Sequence, residues 1–209
     1  MSFDLRPEVP ADHRRAEELI RNAFWDVYVP GAVEHYLLHI LRGHPDFVPE
    51  LTYVAGSEGR LVGHIAYSKA AVLAPDGAAH SVLSFGPIGV LPEWQGRGVG
   101  EALIKKTLEL AAGSGCPCVI IMGDPRYYHR VGFRSAEKWD ISCEDGKHTP
   151  ALMAYPLSPA MPAGRFIEPK AFAGFDETAF QAFDASFPAR EKGFKDSQKD
   201  HAFLSTFRF

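Results

Sequence analysis

The most constraining feature of the chain is the segment 84–112, in which an apolar stretch, a proline-containing loop, a glycine-rich turn and an amphipathic helix pattern follow one another. The glycine turn lies where the loop becomes the helix, and its sequence is Gln95-Gly96-Arg97-Gly98-Val99-Gly100. The first N–H groups of a helix have no intrahelical acceptor, and together with the positive end of the helix dipole they bind anions. Glycines remove the Cβ atoms that would keep a phosphate away from the backbone. The segment therefore predicts a strand–turn–helix unit that binds a phosphate-bearing cofactor.

The spacing of the glycines narrows the choice of cofactor. The chain contains no G-x-x-x-x-G-K-[ST] string, which argues against nucleotide hydrolysis. The observed G-x-G-x-G differs from the dinucleotide fingerprint G-x-G-x-x-G, and residues 92–95 separate it from the apolar stretch. Asp124 follows the next apolar stretch at a suitable distance, so a dinucleotide-dependent enzyme stays an alternative.

Two motifs in a fixed order give the chain a family resemblance. Gln95-x-x-Gly98-x-Gly100, placed after Ile88-Gly89-Val90-Leu91-Pro92, resembles the acyl-CoA-binding motif of the GNAT superfamily of N-acetyltransferases. Tyr128-His129-Arg130-Val131-Gly132-Phe133 resembles that family's Y-x-x-x-G-F segment, about thirty residues later and beyond one apolar strand. The resemblance covers roughly residues 2–156. It implies acetyl-CoA as cosubstrate and an enzyme that transfers acetyl groups to amines.

The resemblance also implies a geometry for the site. The strands that carry Ile88 and Val119 should splay apart at their carboxyl ends, so that the backbone of Ile88, Gly89 and Val90 binds the pantetheine arm like an added strand. The glycine turn, including the backbone of Gly96, Arg97 and Val99, should hold the diphosphate.

Tyr128 is the expected general acid, because a phenol can protonate or hydrogen-bond the departing thiolate. Tyr127 precedes it and should face elsewhere, about 100° away on the same helix. No serine or cysteine lies in a nucleophile-elbow string, which favours direct attack of the amine in a ternary complex over an acyl-enzyme.

A general base is also expected, because the amine must attack in its neutral form. With a pKa of about 10.4, roughly one lysine-like amine in 2,500 is neutral at pH 7. Glu93, beside the glycine turn, and Asp124, at the end of the central strand, are the candidate bases, although Glu93 can equally be a solvated loop residue and Asp124 a helix cap. His64 and Ser84 are further candidates that would relay a proton through water.

One departure from the family pattern concerns the pantetheine arm. Gly123-Asp124-Pro125 stands where the family usually has a helix start that contains an asparagine. The side-chain contact that the asparagine would make with the arm is therefore not expected in this form.

Hydrophobic periodicity predicts an α/β fold, which the resemblance specifies as a GNAT-like mixed, mostly antiparallel central sheet flanked by helices. The predicted elements are a strand over Phe3–Arg6, helices over Pro10–Phe24 and 32–42, strands over Leu51–Ala55, Leu61–Leu73 and Ala79–Leu91, a helix over Gly98–Ala112, a central strand over Val119–Met122, a short helix over Pro125–Val131, and strands over Phe133–Ile141 and Leu152–Leu157.

Composition limits the partners and the compartment. A net charge of −4 and a pI near 6.1 argue against broad binding to nucleic acids or anionic membranes. The chain shows no signal-peptide pattern and no apolar run of about 20 residues. Its three cysteines, at positions 116, 118 and 143, are an odd count typical of reduced core thiols. We therefore expect a cytoplasmic protein that binds neither nucleic acid nor membrane.

No metal site is expected. His35 and His39 are spaced i, i+4 on a predicted helix, but the string is not H-E-x-x-H and no third ligand accompanies it. An amphipathic helix explains the two histidines.

The chain divides by composition into a GNAT-like domain over 1–157 and a C-terminal extension over 158–209. Ten of the fifteen phenylalanines follow residue 165. Asp176 can cap a helix in which Phe180, Phe183 and Phe187 form one stripe. We expect the extension to pack on the domain, at a homodimer interface or as a lid over the acceptor site. A charged and solvated segment is expected over 190–200, and Phe203, Phe207 and Phe209 need a surface to bury against.

The motifs specify the donor and leave the acceptor open, as a small-molecule amine or a peptide amine. A function of another class also stays open, in which the protein is a non-catalytic acyl-CoA-binding sensor or scaffold.

Overall fold

A computed structural model describes residues 2–196 and 198–199 of the chain. Its strands are β1 (Asp4–Pro7), β2 (Tyr53–Ser57), β3 (Arg60–Leu73), β4 (Ala79–Val90), β5 (Cys118–Met122), β6 (Arg134–Ser135), β7 (Ile141–Ser142), β8 (Leu152–Pro156) and β9 (Gly164–Ile167). Its helices are α1 (His13–Phe24), α2 (Glu34–Arg42), α3 (Val99–Ala111), α4 (Pro125–Tyr128) and α5 (Glu177–Asp184). Phe203, Phe207 and Phe209 lie outside the described residues.

The strands form one mixed sheet in the order β1-β2-β3-β4-β5-β8-β6, and β9 pairs with β3 and β7. All neighbours along the main path are antiparallel except β4 and β5, which run parallel. The long strands β3 and β4 pair from Gly63↔Val90 to Leu73↔Ala79 and make the centre of the fold. The predicted mixed, mostly antiparallel sheet is confirmed.

Helices cover both faces of this sheet, and two glycines let them approach closely. A Cβ on Gly63 would lie 2.7 Å from Cγ1 of Val99 in α3. A Cβ on Gly89 would lie 2.8 Å from Cδ1 of Ile20 in α1. Gly89 pairs with His64, the neighbour of Gly63, and successive residues of a strand face opposite sides. The helix α3 therefore packs on one face and α1 on the other.

Two parts of the predicted sheet are corrected. The strand expected over Phe133–Ile141 is broken, because a 3-10 turn over Ala136–Trp139 and a left-handed Asp140 (φ 55°) separate β6 from β7. The strand β9 lies in the C-terminal extension and was not predicted. It pairs antiparallel with the end of β3, from Ala71↔Ile167 to Leu73↔Arg165.

The C-terminal extension also contacts the first two helices. Asp176 caps α5 as predicted, since its Oδ1 accepts a hydrogen bond from the N–H of Ala179 at 2.7 Å. Residues 190–192, 194–196 and 199 are exposed, as expected, and backbone groups of this segment also bind the residues that follow α1. Trp25 Nε1 donates to the carbonyl of Glu191 at 3.0 Å, and the N–H of Gly193 donates to Asp26 Oδ1 at 3.0 Å.

Within the described ranges, no helix is long and apolar enough to cross a membrane, and no group of three or more His, Cys, Asp or Glu side chains could hold a metal ion. Cys116 and Cys118 are free thiols, and burial raises the pKa of Cys118 to about 12.

Candidate active site

The parallel strands β4 and β5 diverge, as the family resemblance implies. Their register pairing within the described chain is limited to Leu83↔Val119, whereas β4 stays paired with β3 as far as Val90. A bulge interrupts the β3–β4 register. Tyr67 pairs with Phe85 and Ile65 pairs with Ile88, so β4 advances three residues where β3 advances two. Bulges bend a strand and end its pairing. The β5-facing edge of Ile88–Val90 therefore keeps backbone groups available for a ligand.

The glycine turn forms an open concave backbone at the start of α3. Gly96 and Gly98 have φ values of +72° and +81°, and a Cβ on either would meet no atom within 4 Å. Gly98 is the N-cap, and the first intrahelical hydrogen bond of α3 runs from Ala102 N–H to its carbonyl at 2.9 Å. The N–H groups of residues 99–101 therefore have no acceptor within the helix. This arrangement fits an anionic ligand.

The other members of the predicted turn have different surroundings. A Cβ on Gly100 would lie 2.7 Å from the hydroxyl oxygen of Tyr127, so Gly100 is needed for that packing contact. Val99 is buried, which leaves only its backbone for a ligand. The Arg97 guanidinium lies 5.4 Å from the ring centroid of Trp94. Gln95 Nε2 donates to the carbonyl of Val90 at 3.1 Å and ties the turn to the end of β4.

Tyr128 is held by the helix cap before it and by an aromatic cluster around it. Asp124 Oδ1 accepts a hydrogen bond from the N–H of Arg126 at 2.8 Å and so caps α4, as predicted. The Tyr128 ring centroid lies 6.0 Å from that of Phe85 and 5.7 Å from that of Phe133. Burial raises the pKa of Tyr128 above its usual range, so the phenol stays protonated at neutral pH.

Tyr128 lines a cleft of about 240 Å3. The first two helices, the bulge of β4 and the C-terminal extension form its walls. We call it the acceptor cleft. Its lining residues are Phe24, Tyr28, Glu34, Leu37, Ser84, Phe85, Gly86, Pro87, Ile88, Met122, Tyr128, Phe166, Glu168, Pro169 and Phe172. A larger groove of about 400 Å3 lies beside the β3–β4 turn, next to Asp140 and Arg165, and contains neither Tyr128 nor the glycine turn. The acceptor cleft is therefore the candidate site, because it contains Tyr128.

The two carboxylates proposed as bases do not line this cleft. Glu93 is exposed and its Oε1 lies 3.2 Å from Nη2 of Arg60. Asp124 makes several hydrogen bonds to Arg126, including Nη2 to Oδ2 at 2.6 Å. The hydrogen bonds from the Arg126 side chain hold the pKa of Asp124 below its ordinary value, although burial opposes them. A lowered pKa makes Asp124 a weaker base.

His64 and Ser84, the candidate relay residues, lie apart. His64 is completely buried, and its Nε2 is 2.9 Å from Oε1 of Glu8, which also binds Arg42 at 2.6 Å. Burial lowers the pKa of His64, although the contact with Glu8 opposes it. Ser84 lies on the wall of the acceptor cleft.

Sequence reasoning missed Glu34, the first residue of α2. Its Oε2 accepts a hydrogen bond from the N–H of Val33 at 3.0 Å, and burial raises its pKa. The same cleft contains Tyr28, whose pKa rises through burial and the negative charges of Glu34 and Asp124. The only signal in the sequence was an acidic residue at a helix start, which is a common capping feature.

The chain resembles known acetyltransferases in sequence. The model of the acetyltransferase (GNAT) family matches residues 18–133. The uncharacterised N-acetyltransferase YjhQ of Escherichia coli is 38% identical over 86 residues, which are 41% of this chain and 46% of YjhQ, so the alignment spans less than half of that relative. The uncharacterised N-acetyltransferase YhbS of the same organism is 27% identical over 139 residues, covering 66% of this chain and 78% of YhbS.

Two solved structures share the fold over most of the chain. A GNAT family acetyltransferase from Brucella melitensis, in complex with acetyl-CoA, is 27% identical with a TM-score of 0.67, covering 82% of this chain and 98% of the other. YhbS from Escherichia coli, in complex with CoA, is 24% identical with a TM-score of 0.72, covering 83% and 93%. With a family match over more than half of its residues, the chain belongs to the GNAT family of acetyltransferases.

Proposed function

We propose that the protein transfers the acetyl group of acetyl-CoA to a primary amine by direct attack in a ternary complex. The single observation that supports this most is the position of Tyr128, which faces a cleft beside the diverging end of β4. The acetyl-CoA bound to the Brucella relative supports the same donor. When bound, acetyl-CoA would supply an activated thioester carbonyl and a thiolate leaving group.

The residues of this chain fit such a donor. The open backbone at Gly96 and Gly98 and the N–H groups of residues 99–101 would hold the diphosphate, with Gln95, Arg97 and Gly100 completing the turn. Each charge-assisted hydrogen bond contributes about 1.5–3 kcal/mol, more than the 0.3–1 kcal/mol of the helix dipole. The backbone of Ile88, Gly89 and Val90 would hydrogen-bond the pantetheine arm as a strand does.

Tyr128 would then act on the departing sulfur. The carbon–nitrogen bond forms as the carbon–sulfur bond breaks, and the sulfur takes the hydroxyl proton of Tyr128. The hydroxyl oxygen takes a proton from the attacking nitrogen, so Tyr128 ends unchanged. Because burial raises its pKa, a free phenolate is unfavourable, so the hydroxyl must receive the proton from the nitrogen as it gives its own to the sulfur.

The variant Tyr128→Phe separates this enzyme from the alternative of a non-catalytic CoA-binding sensor. Loss of a general acid lowers turnover by roughly 10²- to 10⁴-fold, while calorimetry should give a CoA affinity close to that of the wild type. The matched control is Tyr155→Phe. Tyr155 lies in β8, packs on Phe133 and does not line the acceptor cleft. Equal turnover in Tyr128→Phe and the wild type would show that Tyr128 is not the general acid. A wild type that binds CoA but acetylates no amine would support the sensor, and one that binds NAD(P) but not CoA would support a dinucleotide enzyme.

A further inference from the structure

We propose that Glu34 binds the acceptor amine and takes its proton, and that Glu34 and Glu168 together select cationic acceptors over acceptors that carry a carboxylate. This inference rests on the proposed acetyl transfer and specifies its acceptor. Among the fifteen described residues that line the acceptor cleft, the only two that carry a charge are these glutamates. An anionic acceptor would meet uncompensated like charge at both.

The hydrogen bonds of Glu34 leave its negative charge available. Its carboxylate is bonded by backbone N–H groups, those of Val33 and of Glu34 itself. No ion pair joins it to a cationic side chain in the described part of the chain. Asp124 differs, because Arg126 already neutralises it. Of the two, Glu34 is the one that an ammonium group entering the cleft can pair with.

The surroundings of Glu34 also favour proton transfer. Burial raises its pKa, so it holds a proton more readily than an exposed glutamate does. A base whose pKa lies closer to the working pH is more effective. Tyr128 lines the same cleft, so an amine at Glu34 approaches the group that would protonate the departing sulfur.

The walls of the cleft suit an apolar body attached to the amine. Phe24, Tyr28, Phe85 and Phe172 present aromatic rings, which bind both hydrocarbon and cationic groups. Glu168 and Phe172 belong to the C-terminal extension, beyond the residues 18–133 that the family model matches. The extension therefore supplies one wall and one of the two charges, which makes it the part of this chain that adapts a shared catalytic site to its acceptor.

The protons balance as follows. The ammonium group gives one proton to the Glu34 carboxylate and becomes a neutral amine. The nitrogen attacks the thioester carbonyl, and the second proton that it loses reaches the sulfur through Tyr128. Glu34 then releases its proton to solvent, so one acetyl group moves, one thiol forms and one proton is liberated.

The test uses pairs of amines that differ by one carboxylate: 1,5-diaminopentane against lysine, and phenethylamine against phenylalanine. Binding is measured by calorimetry on the protein saturated with CoA, where no turnover occurs, and kcat/KM is measured with acetyl-CoA. We expect each carboxylated partner to bind at least tenfold more weakly and to be acetylated at least tenfold less efficiently. Equal binding within both pairs, or no binding of any of the four, overturns the inference.

Variants assign the effect to the two glutamates. Glu34→Gln keeps an oxygen that can accept from the Val33 N–H, so the start of α2 should be preserved, and its melting temperature checks this. It should weaken amine binding at least tenfold and abolish the acidic limb of the pH profile of kcat/KM. Glu168→Gln should reduce the preference for 1,5-diaminopentane over lysine. Glu109→Gln, an exposed change on α3, is the matched control and should leave every value unchanged.

The outcomes separate this inference from the proposed function. If the wild type binds no CoA, the transferase proposal fails first. If CoA binds and amines are acetylated, but Glu34→Gln retains the acidic limb and the amine affinity, only the role of Glu34 fails.

Discussion

Gly123 lies directly against the ring of Tyr128, and a Cβ at this position would overlap the Cε2 atom of that ring. Gly123 joins β5 to the cap of α4, so the phenol ring packs on the backbone at the diverging end of the central strand. The absence of a side chain at position 123 therefore fixes where the hydroxyl of Tyr128 lies.

Gly123→Ala should lower kcat by roughly 10²-fold, because a displacement of about 1 Å at a catalytic group costs that much. The affinity for CoA should change little, since the glycine turn is untouched. Gly113→Ala is the control, as its Cβ would make only an ordinary contact of 3.5 Å with the Leu110 carbonyl. Steady-state kinetics of both variants test the contact, and equal kcat values would contradict it.

Gly98→Ala should weaken CoA binding beyond what its backbone strain explains. An alanine at φ +81° costs about 1–2 kcal/mol of stability, and its methyl group would project into the open space where we place the diphosphate. Gly77→Ala, in the β3–β4 turn, has a similar φ of +88° and the same open surroundings. Thermal unfolding should show similar losses in both variants, whereas calorimetry should show a weaker CoA affinity only in Gly98→Ala. Unchanged affinity in Gly98→Ala would remove this turn from the diphosphate site.

Folding stability should decrease as the pH falls from about 6.5 towards 4, because His35 is buried in its neutral form. Burial lowers its pKa to about 4, although Asp184 opposes the shift. Below pH 6.5 the unfolded chain binds a proton at this histidine, whereas the folded chain does not. The free energy of unfolding therefore decreases, by on the order of 3 kcal/mol once the pH is below 4. His64, whose pKa burial also lowers, adds to the loss in the same direction.

The variant His35→Phe isolates the contribution of this histidine. Neither ring nitrogen of His35 makes a hydrogen bond to any described residue, although Nε2 lies 3.0 Å from Oδ1 of Asp184. The ring packs among those of Phe180, Phe183 and Phe187, so a phenyl ring suits the site. Urea unfolding at pH 4.5 and 7 should show a smaller pH dependence in the variant. An identical pH dependence in both proteins would assign the loss elsewhere.

Asp184→Asn should destabilise the contact between α5 and α1 by about 1–3 kcal/mol, since it replaces a charge-assisted hydrogen bond with a neutral one. Arg21 Nε donates to Asp184 Oδ1 at 2.7 Å, and both side chains are largely buried. Asp196→Asn removes an exposed pair with Lys199 and should cost less than about 1 kcal/mol. Urea unfolding measures the free energy of unfolding of both variants. Equal decreases would show that the Arg21–Asp184 pair stabilises the protein no more than an exposed pair does.

Local sequence predicted the parts of the site that depend on backbone geometry. The glycine turn was predictable because left-handed residues at a helix start need glycine, and Gly96 and Gly98 have that conformation. The cap of α4 was predictable because Asp124 and Pro125 each favour a helix start through their own bonds and fixed φ. Both rules act within a few residues along the chain.

The break between β6 and β7 was not predictable from periodicity. Phe133, Trp139 and Ile141 suggest a strand over 133–141. The left-handed conformation of Asp140 is instead accompanied by a contact with β9, where the N–H of Gly164 donates to the Asp140 carbonyl at 2.9 Å. The partner strand lies more than twenty residues away, in a segment whose composition suggested a separate extension.

The sequence by itself determined the donor side of the proposed site, because the glycine turn and the segment from Tyr128 to Phe133 carry their geometry in adjacent residues. Only the tertiary structure decided the proposed acceptor side, where Glu34 from α2 and Glu168 from the extension reach one cleft across 134 positions of sequence. Helix caps and glycine conformations are set by local bonds, whereas the charge and shape of a cleft are sums over residues that meet only after the chain has folded.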